Sequence, residues 1–495
     1  MNTTNFGLIA LILILFVPIY RLYFHPLRKV PGPLLGRTSS FFMYVVTYMG
    51  IEGQVLRYYH QKYNTSVLRI SPNGLSISDS TSIQPIYVSG GGFLKDARYQ
   101  NFNLGPVASI FSSIDTPYRD TRAKPVAPLF ALSRLRIACQ PNGIINECIA
   151  RFLKNLEGFK ATAKESHHTR VDILDLCARL SIDAVSGYLL DEPYGGLTEH
   201  AHLPIEQQLN THLSINPFIF QIVAFSRFSL LPHWLFGICY AASMLASSNR
   251  EASKSILGLD KYANRLVTQT VNEKSQDSYQ SRLLAAGLHP SEVEVQCKAV
   301  IFAGADSTAV MLATIIFHLV KRPDVLQALR RQVQEGKDDV YQLPYLRAVV
   351  KEGLRLGMAN PGRLTRVVPA AGLEVGDFHI PQGTIVGAAA SVLHYDPVVF
   401  PDPFSFRPER WLEEGQDEGL RRPGMERSLF MFGVGSRACI GKNLAQQILL
   451  ETVKALAESD VLENSKTCQE RIEMIEWFNA EIKGHKLEIE WETGL

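Results

Sequence analysis

A single cysteine, Cys439, stands in the run Phe432-Gly433-Val434-Gly435-Ser436-Arg437-Ala438-Cys439-Ile440-Gly441, with no second cysteine in the same loop. A thiolate stays ionised beside N–H dipoles or positive charge, and glycines at 433 and 435 let the backbone come close enough to donate to sulfur. The stretch Lys442 to Leu450 reads as an amphipathic helix, so the sulfur lies at its positive end. Arg437, just ahead of the cysteine, suits a carboxylate. One thiolate with a cation for an acidic group points to haem. The plainer reading, a buried free cysteine beside a turn, leaves the glycines, the arginine and the helix unexplained.

Two further constellations carry chemistry. Ala303-Gly304-Ala305-Asp306-Ser307-Thr308 interrupts an apolar helical stretch expected from about Glu292 to Val320. A mid-helix glycine costs roughly 1 kcal/mol against alanine, and a buried carboxylate beside hydroxyls must be hydrogen-bonded or hydrated. A groove for a diatomic ligand and water accounts for both; a helix kink with hydroxyls bonded back to carbonyls is the structural alternative. Glu352-Gly353-Leu354-Arg355 puts acid and base on one helix face, a spacing equally usual in exposed pairs. A phosphate loop is a near miss at Gly435 to Lys442, and no His-Glu-x-x-His, Cys-x-x-Cys or Gly-x-Ser-x-Gly occurs.

The ten residues ending at Gly441 resemble the haem-binding signature of the cytochrome P-450 family of haem-thiolate monooxygenases. The resemblance implies haem b with Cys439 as axial iron ligand, Phe432 and Gly433 in the cofactor loop, and Arg437 on a propionate. A thiolate ligand favours O–O cleavage, which suits oxygen activation. Asp306 and Ser307 match the family's acid and alcohol for proton delivery to dioxygen. The family more often has threonine at the Ser307 position, and Thr308 follows, so either hydroxyl can serve. Phe406-Arg407-Pro408-Glu409-Arg410-Trp411 supplies the arginine that the family joins to the helical pair, giving a structural triad of Glu352, Arg355 and Arg410. Tyr118-x-x-x-Arg122 is similar to a propionate-binding pattern that usually begins with tryptophan or histidine, and Arg366 matches a third propionate arginine. As in the family, the fold expected is mostly α with small β-sheets.

The chain has 495 residues, 46% of them hydrophobic, enough for a large core. A net charge of +2 gives no case for nucleic acid, and the odd count of 7 scattered cysteines fits a reducing compartment, not a disulfide framework. Residues 6–20 are uncharged and apolar, then Arg21, Arg28 and Lys29 follow. We read 1–29 as a retained membrane anchor with its basic flank, which keeps the body cytosolic, with Asn2 as a lumenal glycosylation sequon; a cleaved signal peptide is the alternative. Val30-Pro31-Gly32-Pro33 is expected to be a hinge. No repeat or long linker divides 30–495, so one large catalytic domain is expected. Short β-like runs fall at Val67–Ser78 and Arg366–Ala390.

Position in the family fold makes Ile110, Phe111, Phe218, Val300, Phe302 and Met358 to Pro361 candidates for lining a cavity for an apolar molecule such as a terpenoid or polyketide. Residues 21–33 are similar to fungal microsomal members that tailor secondary metabolites. That implies the endoplasmic reticulum membrane, a single span, and electrons from an NADPH-cytochrome reductase, for which Arg421, Arg422, Arg427 and Lys442 offer a basic docking face. The rivals are a haem-thiolate isomerase or dehydratase that does not use O2, and a non-catalytic haem carrier.

Overall fold

The helix that carries Asp306 starts where Pro290 supplies a preset φ and the His289 side chain accepts from the Ser291 N–H at 3.3 Å. In the computed structural model, which describes residues 16–105, 107–165, 170–246, 250–273, 277–336, 339–412 and 422–491, this helix runs Pro290–Lys321. Its first half buries one stripe, Val293, Cys297, Ile301 and Ala305, at helical spacing; its second half, from Thr308 to Phe317, is buried all round. Among the described residues it is also the one helix long and apolar enough to cross a membrane, and its burial in the core accounts for that composition.

Two partners flank it. The helices used below are α1 (Thr116–Val126), α2 (Ile173–Leu190), α3 (Asn216–Phe225), α4 (Pro290–Lys321), α5 (Pro344–Leu356) and α6 (Lys442–Glu458). Gly304 of α4 meets α2 so closely that a Cβ would lie 2.7 Å from a Val185 methyl, and Gly353 of α5 meets Ile315 of α4 at 2.1 Å by the same construction. Glycine at 304 is therefore a close-packing residue between helices, and alanine there would have to push α2 away.

The small sheets sit beside this helical body. One has the order β1-β2-β4-β3, with β1 at Val67–Ser71, β2 at Gly74–Ile77, β3 at Arg366–Val367 and β4 at Ile385–Ala388. β2 runs parallel to β4 with Leu75 opposite Val386, and β3 antiparallel with Arg366 opposite Val386. Its inner face packs Val67, Leu75, Ile77 and Val386 against Ile86, Tyr87 and Phe430, which brings the approach to the Cys439 loop onto the sheet. Near the C-terminus β5 (Met474–Ile475) pairs antiparallel with β6 (Glu481–Ile482). The architecture is thus mostly helical with small sheets.

Val30 to Pro33 is not a hinge. The Arg69 N–H donates to Pro31 O at 2.7 Å, and a Cβ on Gly32 would lie 1.9 Å from Arg69 O, so the segment is strapped to β1. Residues 1–15, which hold the Asn2 sequon and most of the apolar run, and Arg421 lie outside the described residues.

Candidate functional site

The Cys439 loop is closed at its neck, where the Cys439 N–H donates to Phe432 O at 2.9 Å. Gly433 and Gly435 have φ of 60° and 74°, in the left-handed region. A Cβ on Gly435 would lie 1.9 Å from Tyr87 O, so this position also needs glycine for space. Tyr87 is itself fixed: its hydroxyl donates to Leu364 O at 2.7 Å and accepts from the Ala388 N–H at 2.9 Å. On the other side, Asn443 at the start of α6 donates to Phe130 O at 3.0 Å.

Cys439 lies deep in the fold, where burial raises its thiol, while hydrogen bonds from the Gly441 and Lys442 N–H groups and the Lys442 charge act to lower it. Its residue surface is nevertheless open. A side chain that is surrounded by protein yet open faces a hollow. Ala303, in the middle of α4, is exposed in the same way. Ser307, one turn along, shares that face and is half-buried, whereas Thr308 is 3% exposed and turned into the core.

Lys95, Arg366 and Arg437 lie together, with the Arg119–Asp120 ion pair (3.1 Å) beside them and Asp120 and Asp115 acting on Arg437 through their charge. Burial lowers Lys95 well below its ordinary value, and Arg366, Arg437 and Arg119 lower it further. Arg437 is lowered by burial and then by Arg119 and Arg366. Lys95 donates to Phe111 O at 2.5 Å and sits 4.2 Å from the Tyr99 ring centre. Arg366 donates to Thr365 O at 2.8 Å and Tyr99 OH at 3.3 Å, and Arg437 to Ser113 O at 3.2 Å and Thr116 Oγ1 at 3.1 Å. Among the described residues, Lys95, Arg366 and Arg437 make no ion pair with a carboxylate. Buried cations need a counter-anion, and a flat apolar group with two carboxylates, ligated by Cys439, fits this donor set.

Arg122 and Tyr118, the expected propionate partners, are both engaged with Glu292. Arg122 Nε pairs with Glu292 Oε1 at 2.5 Å, and Tyr118 OH donates to the same oxygen at 3.1 Å and lies 3.0 Å from Ala108 O. Residues four apart share a helix face, so both turn to the first turn of α4; Arg119, turned about 100° from Tyr118, pairs with Asp120 at 3.1 Å and acts on Lys95 and Arg437 through its charge. Neither Arg119 nor Lys95 lies in a motif that would have singled it out.

Away from the loop, Glu352, Arg355 and Arg410 come together with no exposed side-chain surface. Glu352 accepts from Arg355 Nη2 at 2.8 Å and Nε at 3.0 Å, from Arg410 Nε at 3.1 Å, from the Arg407 N–H at 3.0 Å and from Trp411 Nε1 at 2.9 Å. Burial alone would raise the Glu352 carboxyl; the Arg355 hydrogen bonds and the two arginine charges hold it below its ordinary value. Arg355 also donates to His394 O at 2.9 Å and Pro403 O at 2.5 Å, tying α5 to the chain that leads to the cysteine loop.

Of the cavity candidates, Phe111 joins Tyr99, Phe102 and Phe478 in an aromatic cluster, while Val300 and Phe302 are half-buried on α4. Ile110 is half-buried, its N–H donating to Gln296 at 3.2 Å; Phe218 and Met358 are buried. A cavity of about 1000 Å³ lies elsewhere, along α3 between His212, Phe225 and Lys254. Arg422, Arg427 and Lys442 are exposed.

A family profile described as Cytochrome P450 matches residues 36–459. The chain is 56% identical over 493 residues to the cytochrome P450 monooxygenase mfmF of Annulohypoxylon moriforme, covering 98% of this chain and 99% of that protein. It is 30% identical over 488 residues to the cytochrome P450 monooxygenase hkm5 of Aspergillus hancockii (93% and 89% covered), and 28% identical over 495 residues to BOT1 of Botryotinia fuckeliana (94% and 91%).

Proposed function

Since the chain belongs to the cytochrome P450 family, we propose that it is a membrane-anchored monooxygenase that inserts one oxygen atom from O2 into an apolar small molecule of fungal secondary metabolism. The family implies haem with a cysteine thiolate ligand, and members use O2 and a reductase. The carrying observation is the Cys439 sulfur, hydrogen-bonded by two backbone N–H groups, with Lys95, Arg366 and Arg437 grouped and, among the described residues, making no ion pair with a carboxylate. When bound, a thiolate-ligated haem supplies oxygen activation. Lys95, Arg366 and Arg437 would hold its two carboxylates.

The chain's own share is orientation and proton supply. Ser307, on the open face of α4 with Ala303, is the hydroxyl we assign to the relay, and Asp306 beside it is the acid. Burial pushes the Asp306 carboxyl up to about 7, so it can hold and release a proton near neutrality. Asp306→Asn is expected to slow turnover by roughly 100-fold, the usual weight of an acid–base group, and to raise hydrogen peroxide release per NADPH. Unchanged coupling would remove Asp306 from the relay.

Membrane attachment is supported by the apolar run before Arg21 and by exposed Leu34, Leu35, Phe41 and Met49 near the strapped segment. Exposed Arg422, Arg427 and Lys442 support docking of an acidic NADPH-dependent reductase. Raising salt should then inhibit reductase-driven turnover severalfold and leave peroxide-driven turnover unchanged; equal inhibition would argue against docking. The substrate is found by comparing metabolites of cells with and without the protein under labelled O2. Product lacking the label, or formed without reductase, would favour an isomerase or dehydratase.

A further inference from the structure

Asp306 has a second neighbour that the relay leaves unused. Oδ2 of Asp306 and Oε2 of Glu481 are both shut off from solvent without a hydrogen-bond partner. The two residues line one cavity of about 30 Å³, closed by Leu174 and Ala178 of α2, Phe220 of α3 and His485. Such a volume has room for a water, and two carboxyl oxygens give it polar partners. Among the described residues neither carboxyl pairs with lysine or arginine; the contact recorded for Glu481 is His485 Nε2 at 3.5 Å. His485 stacks on Phe220 with ring centres 3.9 Å apart. Side-chain exposure falls from 34% at His485 to 9% at Glu481, so the series leads inward from solvent.

The other charged groups around the cavity are committed. Asp175 of α2 accepts from Arg179 at 2.7 Å, from Asn216 at 2.6 Å and from the Leu213 N–H at 2.9 Å, with His212 3.9 Å away. Arg227 acts on Glu481 through its charge and lies 4.3 Å from the Trp477 ring centre.

We propose that His485 and Glu481 are the outer steps of the proton route to Asp306, joined to it by one water in their shared cavity. The His485 imidazolium gives its proton to the Glu481 carboxylate and is reprotonated from solvent. The Glu481 carboxyl O–H protonates the water, which passes a proton to the Asp306 carboxylate; no electron moves. Burial, joined at Asp306 by the Glu481 charge, raises both carboxyls to about 7, so both exchange protons at neutral pH. Burial lowers His485, which favours giving its proton up.

This inference rests on Asp306 as the relay acid. Its test uses the full-length holoprotein as wild type, D306N, E481Q, H485F and the D306N/E481Q double variant; phenylalanine keeps the stacking on Phe220 and lacks the proton. E481Q and H485F are each expected to raise peroxide release severalfold, and the double variant to be no worse than D306N. A second readout does not depend on turnover. An acid whose folded value is raised binds more protons folded than unfolded, so stability falls as pH rises from about 4 to about 7 and then levels. E481Q removes one such group, so its melting temperature relative to wild type should rise between pH 5 and pH 8. The infrared carboxyl band of Asp306 should also titrate at lower pH in E481Q. Uncoupled D306N beside normally coupled E481Q and H485F would overturn this route and leave Asp306 in place. A coupled D306N would overturn both readings. An Asp306 band unmoved by E481Q would separate the two carboxyls and end the proposal.

Discussion

Cys439→Ser is expected to abolish the long-wavelength absorption that the reduced, carbon-monoxide-treated holoprotein develops, and to take monooxygenase turnover to background. A serine hydroxyl is not ionised at neutral pH, so the N–H donors of Gly441 and Lys442 lose their anion and the metal loses its electron-rich ligand. The replacement is nearly isosteric and Cys439 packs beside an opening, so the fold is expected to survive. The spectrum of the reduced carbon monoxide complex is the check. A variant that keeps the wild-type band would show that another residue holds the metal.

Arg355→Ala is expected to yield protein without haem. Removing one partner of a buried ion pair costs about 3–5 kcal/mol, because the remaining charge is left in a low-dielectric interior. Here the arginine is also the donor to His394 O and Pro403 O, so its loss loosens the segment ahead of the cysteine loop. Arg355→Lys keeps the charge without the two-pronged geometry and should fall between. Because Glu352 is held below its ordinary value of 4.5, the triad contributes fully at neutral pH and its contribution is lost as pH falls through the lowered value. Haem content and acid unfolding of the purified variants measure both effects. An Arg355→Ala protein that is haem-replete and active would contradict the assignment.

What the sequence made legible follows from how local the signals are. Helix α4 could be read because a long apolar stretch is a contiguous feature, and the expected Glu292 to Val320 is close to Pro290–Lys321. β1 and β2 fall inside the expected Val67–Ser78 run for the same reason. The cysteine loop carries its glycines within a few residues of the sulfur. Groups assembled from distant segments were not legible. Lys95 stands in a stretch without a motif, and its placement with Arg119, Arg366 and Arg437 depends on four separate segments. That Arg122 turns to Glu292 depends on which side of α1 faces the start of α4, which a short pattern beginning with tyrosine does not state. Glu481 belongs to a two-residue strand, too short for alternation to reveal its inward direction. The stretch around Gly304 reads from the sequence as a groove for a diatomic ligand and water; that the missing side chain also lets Val185 approach is visible only in the fold.

Tyr87 braces more than its own segment. Its carbonyl lies where a side chain on Gly435 would be, its hydroxyl bridges Leu364 and Ala388, and Arg366 sits 5.0 Å from its ring centre. Transplanting the signature decapeptide into another scaffold therefore carries only half of a joint. A chimera that moves residues 84–92 along with it keeps the mating surface, and engineering of this loop for altered redox potential has to treat the two stretches as one cassette.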